Sequence, residues 1–157
     1  MKKYQLWTDG SCNNNPSHST KGYGGWGFVL VEDNKVIFED LGFEKDTTSN
    51  RMEMLSVIKG LSYLTQYHSN SKIEVYSDSA YVVNCFIERW YIRWQEMNWD
   101  EVKNSDLWKE MIYLYHSRLL SVRFKKVKGH TGVVHNERAD FLAGEARKYS
   151  LKQNGVV

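Results

Sequence analysis

Several of the features that would place this chain in a specialised class are missing from it. Only two cysteines are present, Cys12 and Cys85, and they lack metal-ligand spacing. That argues against a disulfide framework and a zinc site, so both are expected as free thiols. No stretch approaches the roughly 20 apolar residues of a membrane span, and the opening M-K-K-Y-Q-L-W-T-D has no apolar signal core. A cytoplasmic protein without a membrane partner is expected. The formal net charge of +2 is too small to mark a polyanion binder, so the distribution of charge matters more than its sum. No internal repeat, linker or low-complexity segment is visible, and residues 80–117 hold neither proline nor glycine.

What is present suffices for one buried core. The 157 residues are 41% hydrophobic and 14% aromatic, which fits a single domain without staples. A domain over residues 1–149 is expected, followed by a flexible tail over 150–157.

Alternation of Tyr4, Leu6 and Thr8 with Gln5, Trp7 and Asp9 predicts a strand with Asp9 at its exit, and Gly10 to Pro16 predicts a loop. Two strand-like runs, 23–32 and 35–43, flank the turn pair Asp33-Asn34 and complete a three-stranded antiparallel meander. Thr48 suits an N-cap, and Met54, Leu55, Ile58, Leu61 and Leu64 recur at helical spacing to about Gln66. Glu53 falls in the first turns of that helix. A short strand over 73–77 ends at Asp78, with a helix starting near Ser79. Residues 80–117 predict two or three short helices broken around Asn98 to Asn104, and 122–126 predict a last strand. A final helix is expected from near Asn136, fraying from Leu151. The order predicts an α/β fold: a five-stranded mixed sheet, three antiparallel strands and then parallel ones, with helices on both faces.

Four acids stand out against this background. Asp9, Glu53, Asp78 and Asp140 lie in W-T-D-G-S-C, T-T-S-N-R-M-E, V-Y-S-D-S-A-Y and G-H-T-G-V-V-H-N-E-R-A-D, each at a strand end or on a helix. Singly, each has a plain structural alternative: a turn, a solvated helix charge, a helix cap or a surface charge. Together they make the oxygen-rich anionic pocket that a hard divalent cation requires, and suggest a magnesium-dependent nuclease. Phosphodiester hydrolysis needs an activated water, neutralised phosphoryl oxygens and a stabilised leaving oxygen, which two metal ions about 4 Å apart supply. A basic run, Arg118, Arg123, Lys125, Lys126 and Lys128, fits either a phosphate contact or a solvated strand face.

Read as a set, the motifs resemble type 1 ribonuclease H, the family that cuts the RNA strand of RNA–DNA hybrids, over nearly the whole chain. The matching pieces are T-D-G-S-C with N-P at 15 and 16, G-Y-G-G-W-G at 22–27, T-T-S-N-R-M-E at 47–53 and Y-S-D-S-A-Y-V at 76–82. N-S-D-L-W at 104–108, V-K-G-H-T-G, and N-E-R-A-D-F-L-A to 143 continue the series. The resemblance implies that Asp9, Glu53, Asp78 and Asp140 hold two Mg2+, with Mn2+ as a substitute, and that products carry 5′-phosphate and 3′-hydroxyl ends. It implies a role for His130 in proton transfer and product release, which suits an imidazole of near-neutral pKa. It further implies an RNA–DNA hybrid as partner, primer and R-loop removal as task, and a monomer with no obligate protein partner.

The same resemblance assigns substrate contacts. Cys12, Asn15, Ser49 and Asn50 would meet sugars and base edges in the minor groove, where the 2′-hydroxyl separates RNA from DNA. Thr48 and Asn104 would seat a DNA-strand phosphate, and Tyr81 and Trp90 would line the DNA-strand channel, with Trp94 packed internally. His135 reads as a surface residue, and Glu137 as either an acid near the site or a first-turn helix charge. Ser49 stands where many members carry Asn, Asp46 where a basic residue is common, Ala80 where some have Gln, and the segment 99–104 is short for a lysine-rich handle. These departures predict a higher KM and a smaller salt slope, which a salt titration of binding checks. The segment 16–22 is also longer and poorer in glycine than usual. Another nuclease or integrase of the same fold and a catalytically silent hybrid-binding module are the competing readings. The intact N-P, T-S-N-R and G-H-T-G blocks weigh against the first, and the four retained acids against the second. A domain cut from a reverse-transcriptase polyprotein is not expected.

Overall fold

The structure, a computed structural model, describes residues 1–14, 22–128 and 133–156. Five strands form one sheet in the order β3-β2-β1-β4-β5: β1 (Lys2–Asn14), β2 (Gly22–Glu32), β3 (Lys35–Thr47), β4 (Ser71–Ser77) and β5 (Leu120–Lys126). The first three are antiparallel and β4 and β5 join in parallel, as the sequence predicts. The β2–β3 turn uses Asp33 and Asn34 at φ of 50° and 63°, the left-handed pair that matches a two-residue hairpin to strand twist.

Five helices occupy the described residues: α1 (Ser49–Tyr67), α2 (Ala80–Ile87), α3 (Trp90–Glu96), α4 (Ser105–Tyr115) and α5 (Val134–Gln153). The alternation of each strand divides its side chains between two layers. Tyr4, Leu6, Phe28 and Leu30 join Met52, Met54, Leu61, Trp108 and Met111 in the larger core, which takes in α1, α2 and α4. Trp7, Val29 and Val31 meet Ala139 and Leu142 of α5 on the opposite face. Helices therefore cover both faces, with α5 lying over β1, β2 and β3.

Two boundaries differ from the sequence reading. β1 does not end at Asp9; it continues to Asn14, because β2 pairs with it along Gly10 to Asn14. Backbone pairing with a neighbour overrides the turn preference of Gly10 and the asparagines. The last helix also runs beyond the expected fray point at Leu151. Leu151 is buried, and the Ser150 hydroxyl donates to the Glu44 carbonyl of β3 at 2.8 Å.

Candidate active site

The parallel pairing of β1 with β4 holds a constant register, from Lys2 opposite Ser71 to Trp7 opposite Tyr76. Continued by two residues, it brings Asp9 level with Asp78 just where β4 stops. By the same alternation Asp9 lies on the α5 side of the sheet, where Asp140 is carried, while Gly10 faces α1. A Cβ on Gly10 would lie 2.3 Å from the Glu53 backbone nitrogen, so only glycine lets α1 settle this closely on β1 and carry Glu53 to the sheet end. Ser79 caps α2 by accepting from the Val82 amide at 3.2 Å, fixing the turn that follows Asp78.

One carboxylate oxygen from each of Asp9, Glu53 and Asp78 falls within 4.8 Å of the others. Asp9 is buried and accepts from the Gly10 amide at 2.9 Å. Burial, reinforced by the Asp78 charge, pushes its carboxyl up to about 8. Glu53 is likewise raised well above the carboxylate range, by burial first and then by the charges of Asp9 and Asp78. Asp140, an exposed residue at the mouth, acts on Asp9 through its side chain.

The Glu53 Oε2 atom is closed to solvent and has no hydrogen-bond partner. An orphaned buried carboxylate oxygen is costly, and a cation offsets that cost. The donor set is all carboxylate oxygen, which fits Mg2+ or Mn2+ and not a soft metal. Asp9, Glu53 and Asp78 form the core of such a site, with Asp140 beside it.

A second group of predicted residues converges next to the start of α1. Thr48 caps the helix, its hydroxyl accepting from the Arg51 amide at 3.2 Å. The Arg51 guanidinium donates to Asn104 at 3.2 Å and forms a two-pronged pair with Asp106 at 3.0 and 2.7 Å. Asn104 adopts φ of 59° and donates to the Tyr81 hydroxyl at 3.1 Å, as does Trp108. Arg51 therefore ties the Thr48 turn to Asn104, a link not assigned from sequence. Its place within T-S-N-R-M-E, two residues before Glu53, was the available signal.

Ser49 and Asn50 are exposed in the first turn of α1, and the Cys12 thiol faces the Thr47 carbonyl at 3.5 Å. Trp94 packs inward, its ring 5.3 Å from Trp108, and partly buried Trp90 lies 6.1 Å from Trp94. Asn15 and His130 lie outside the described residues. His135 is not simply a surface residue: it is partly buried, 5.7 Å from the Trp7 ring, with Nδ1 shielded and unpartnered. The basic run falls largely on the edge strand β5, where Arg123 and Lys125 point outward and Lys125 pairs with Glu74 at 2.6 Å.

Comparison with known proteins gives this arrangement a family context. The family model for RNase H matches residues 1–148. A ribonuclease H of Acetivibrio thermocellus is 41% identical over 158 residues, covering 98% of this chain and 100% of that protein. One of Syntrophomonas wolfei is 43% identical over 155 residues, covering 94% and 98%. Among solved structures, LC9-RNase H1, a type 1 RNase H with the type 2 active-site motif, superposes with a TM-score of 0.83 at 24% identity, covering 95% of this chain and 74% of that one. LC11-RNase H1, solved in complex with an RNA/DNA hybrid, gives 0.73 at 20% identity, covering 94% and 99%. With the sheet order, the converging acids and a whole-length sequence match in agreement, this chain belongs to the RNase H family.

Proposed function

We propose that the protein is a magnesium-dependent endoribonuclease that hydrolyses the RNA strand of RNA–DNA hybrids, leaving 5′-phosphate and 3′-hydroxyl ends. The observation that carries this reading is the cluster of Asp9, Glu53 and Asp78 within 4.8 Å, joined to a buried Glu53 oxygen that has no partner. Two divalent cations bound there would supply an activated water, charge neutralisation on the phosphoryl group and a stabilised leaving oxygen.

The chain's own residues prepare that chemistry. Burial and the Asp78 charge raise the Asp9 carboxyl to about 8 and push Glu53 in the same direction, so a cation entering near neutral pH displaces a proton from Asp9. Asp78 and Asp140 complete the acidic wall, and His130 moves a proton during turnover and product release. Thr48 and Asn104, tied together through Arg51, present a corner for a DNA-strand phosphate. Cys12, Asn15, Ser49 and Asn50 approach the minor groove and sense 2′-hydroxyls without reading sequence. Tyr81 and Trp90 flank the DNA strand. The enzyme works as a cytoplasmic monomer, with 1–149 as its catalytic domain, on replication primers and R-loops.

Cleavage of one labelled duplex in RNA–DNA, RNA–RNA and DNA–DNA forms, with Mg2+ or EDTA, tests the reading in wild type and Asp78→Asn. The expected result is Mg2+-dependent cutting of the hybrid's RNA alone. The variant should lose roughly 10²–10³-fold or more, the scale for one preorganised electrostatic group. Hybrid bound and never cut would sink the catalytic assignment, and cutting of DNA would sink the substrate.

A further inference from the structure

Arginines of α1 and α5 are treated differently by the fold. Arg51 is held by Asn104 and Asp106, and Arg138 pairs with Glu39. Arg147 is partly buried, its Nε is closed to solvent with no hydrogen-bond partner, and no acid among the described residues pairs with it. A guanidinium nitrogen shut away from water without an acceptor is unfavourable, a cost that an anion bound beside the charge offsets.

Its position follows from how α5 meets the sheet. A Cβ on Gly25 would lie 2.3 Å from the Arg147 backbone nitrogen, so a bare strand lets the helix settle there. Gly25 is paired with Ser11 of β1, and the Arg147 charge acts on Cys12. Arg147 lines a cavity of about 240 Å³ with Ser11, Asp140, Gly144 and Lys148, and with exposed Glu145 among its walls. Asp140 and Arg147 are seven helical residues apart, about 10 Å along the axis, which is roughly three nucleotides of rise along one strand.

We propose that Arg147 binds a backbone phosphate of the strand being cut, about three nucleotides from the scissile linkage, with Lys148 adding charge behind it. The inference rests on the hybrid-nuclease reading above. A planar guanidinium grips phosphate through two parallel hydrogen bonds, and that of Arg147 lines the cavity with no acid among the described residues to occupy it. Arg147 is thereby a substrate-binding residue that sets register along the RNA strand, without touching the reacting atoms.

The test is hybrid binding measured by fluorescence anisotropy in the Asp78→Asn protein, alone and combined with Arg147→Ala or Arg147→Lys. Arg147→Ala should weaken binding about tenfold and lower the salt slope by about one. Arg147→Lys should restore the slope and part of the affinity, because one ammonium replaces a two-pronged fork. With Asp78 intact, Arg147→Ala should raise KM and leave kcat unchanged. A series of hybrids each carrying one neutral methylphosphonate in the RNA strand should lose affinity at one linkage in the Asp78→Asn protein. That loss should vanish in the Arg147→Ala background. An unchanged salt slope, a kcat defect at constant KM, or no linkage-specific loss overturns the assignment. If Arg147→Ala melts early, the same series compared with Arg147→Lys decides. Because binding is read without cleavage, a protein that binds hybrid but never cuts it removes the proposed activity and leaves the phosphate contact measurable.

Discussion

Two neighbouring groups draw on the same first turns of α1 and are built on opposite electrostatic terms. At one, Glu53 joins Asp9 and Asp78 with a buried oxygen left unpaired, and both Glu53 and Asp9 have raised pKa values. At the other, Arg51 is shared between Asn104 and Asp106, and its hydrogen bond holds Asp106 below the usual carboxylate range. The first arrangement is unsatisfied and gains most from an incoming cation. The second is already satisfied and offers geometry more than charge. Chemistry and binding should therefore separate cleanly in mutants.

The largest expected effect comes from Gly10→Ala. Its new methyl would fall 2.3 Å from the Glu53 nitrogen, so α1 must retreat from β1. A loss of about 1–3 kcal/mol in stability is expected from such overpacking, with weakened Mg2+ activation because Glu53 leaves Asp9. A thermal melt and a Mg2+ titration of cleavage check it, and retained activation would show that the close contact is not needed.

Asp9→Asn should act in the opposite direction on stability. In the folded state the Asp9 carboxyl is pushed up to about 8, against an ordinary value of 3.8 for an exposed aspartate. The unfolded chain therefore ionises first as pH rises. The stability associated with protonated Asp9 is complete below about pH 4 and is lost progressively up to about pH 8. In EDTA at pH 8 the asparagine variant should melt higher by about 4–8 °C, the scale of roughly 2 kcal/mol for a chain of this size. Mg2+ should raise the wild-type melting temperature more than the variant's, and should release protons on binding. Equal responses would show that Asp9 is not a cation ligand.

Asn104→Ala is the smallest of these effects. It removes a hydrogen-bond partner from Arg51 and another from Tyr81, but leaves the Arg51–Asp106 pair. A rise in KM of about three- to tenfold with unchanged kcat and an unchanged pH profile is expected, from roughly one hydrogen bond. Steady-state kinetics at two pH values separate this from any effect on the acids.

Local periodicity made most of the fold legible. The apolar run of β2, the alternation in β4, the Thr48 and Ser79 caps and the Asp33-Asn34 turn all follow from residues close in sequence. The reading failed where a distant partner decides. Gly10 to Asn14 look like a loop until β2 pairs with them, and the chain end looks frayed until Ser150 reaches Glu44. At the site, Asp9, Glu53 and Asp78 were identifiable from their motifs, whereas Arg51 and Arg147 were not. An arginine in a polar helical turn looks the same whether it is paired, as Arg51 is, or orphaned, as Arg147 is.

The central strand of this sheet is also its first, and that has a consequence for a chain emerging from the ribosome. β1 is flanked by β2, which follows within a few residues, and by β4, which begins only at Ser71; β5 begins at Leu120, and α5 brings Asp140 last. At roughly 10 residues per second, about 13 s separate synthesis of Asp9 from that of Asp140. During that interval Asp9, Glu53 and Asp78 can meet at the sheet end, but the acid that α5 carries beside them has not yet been made.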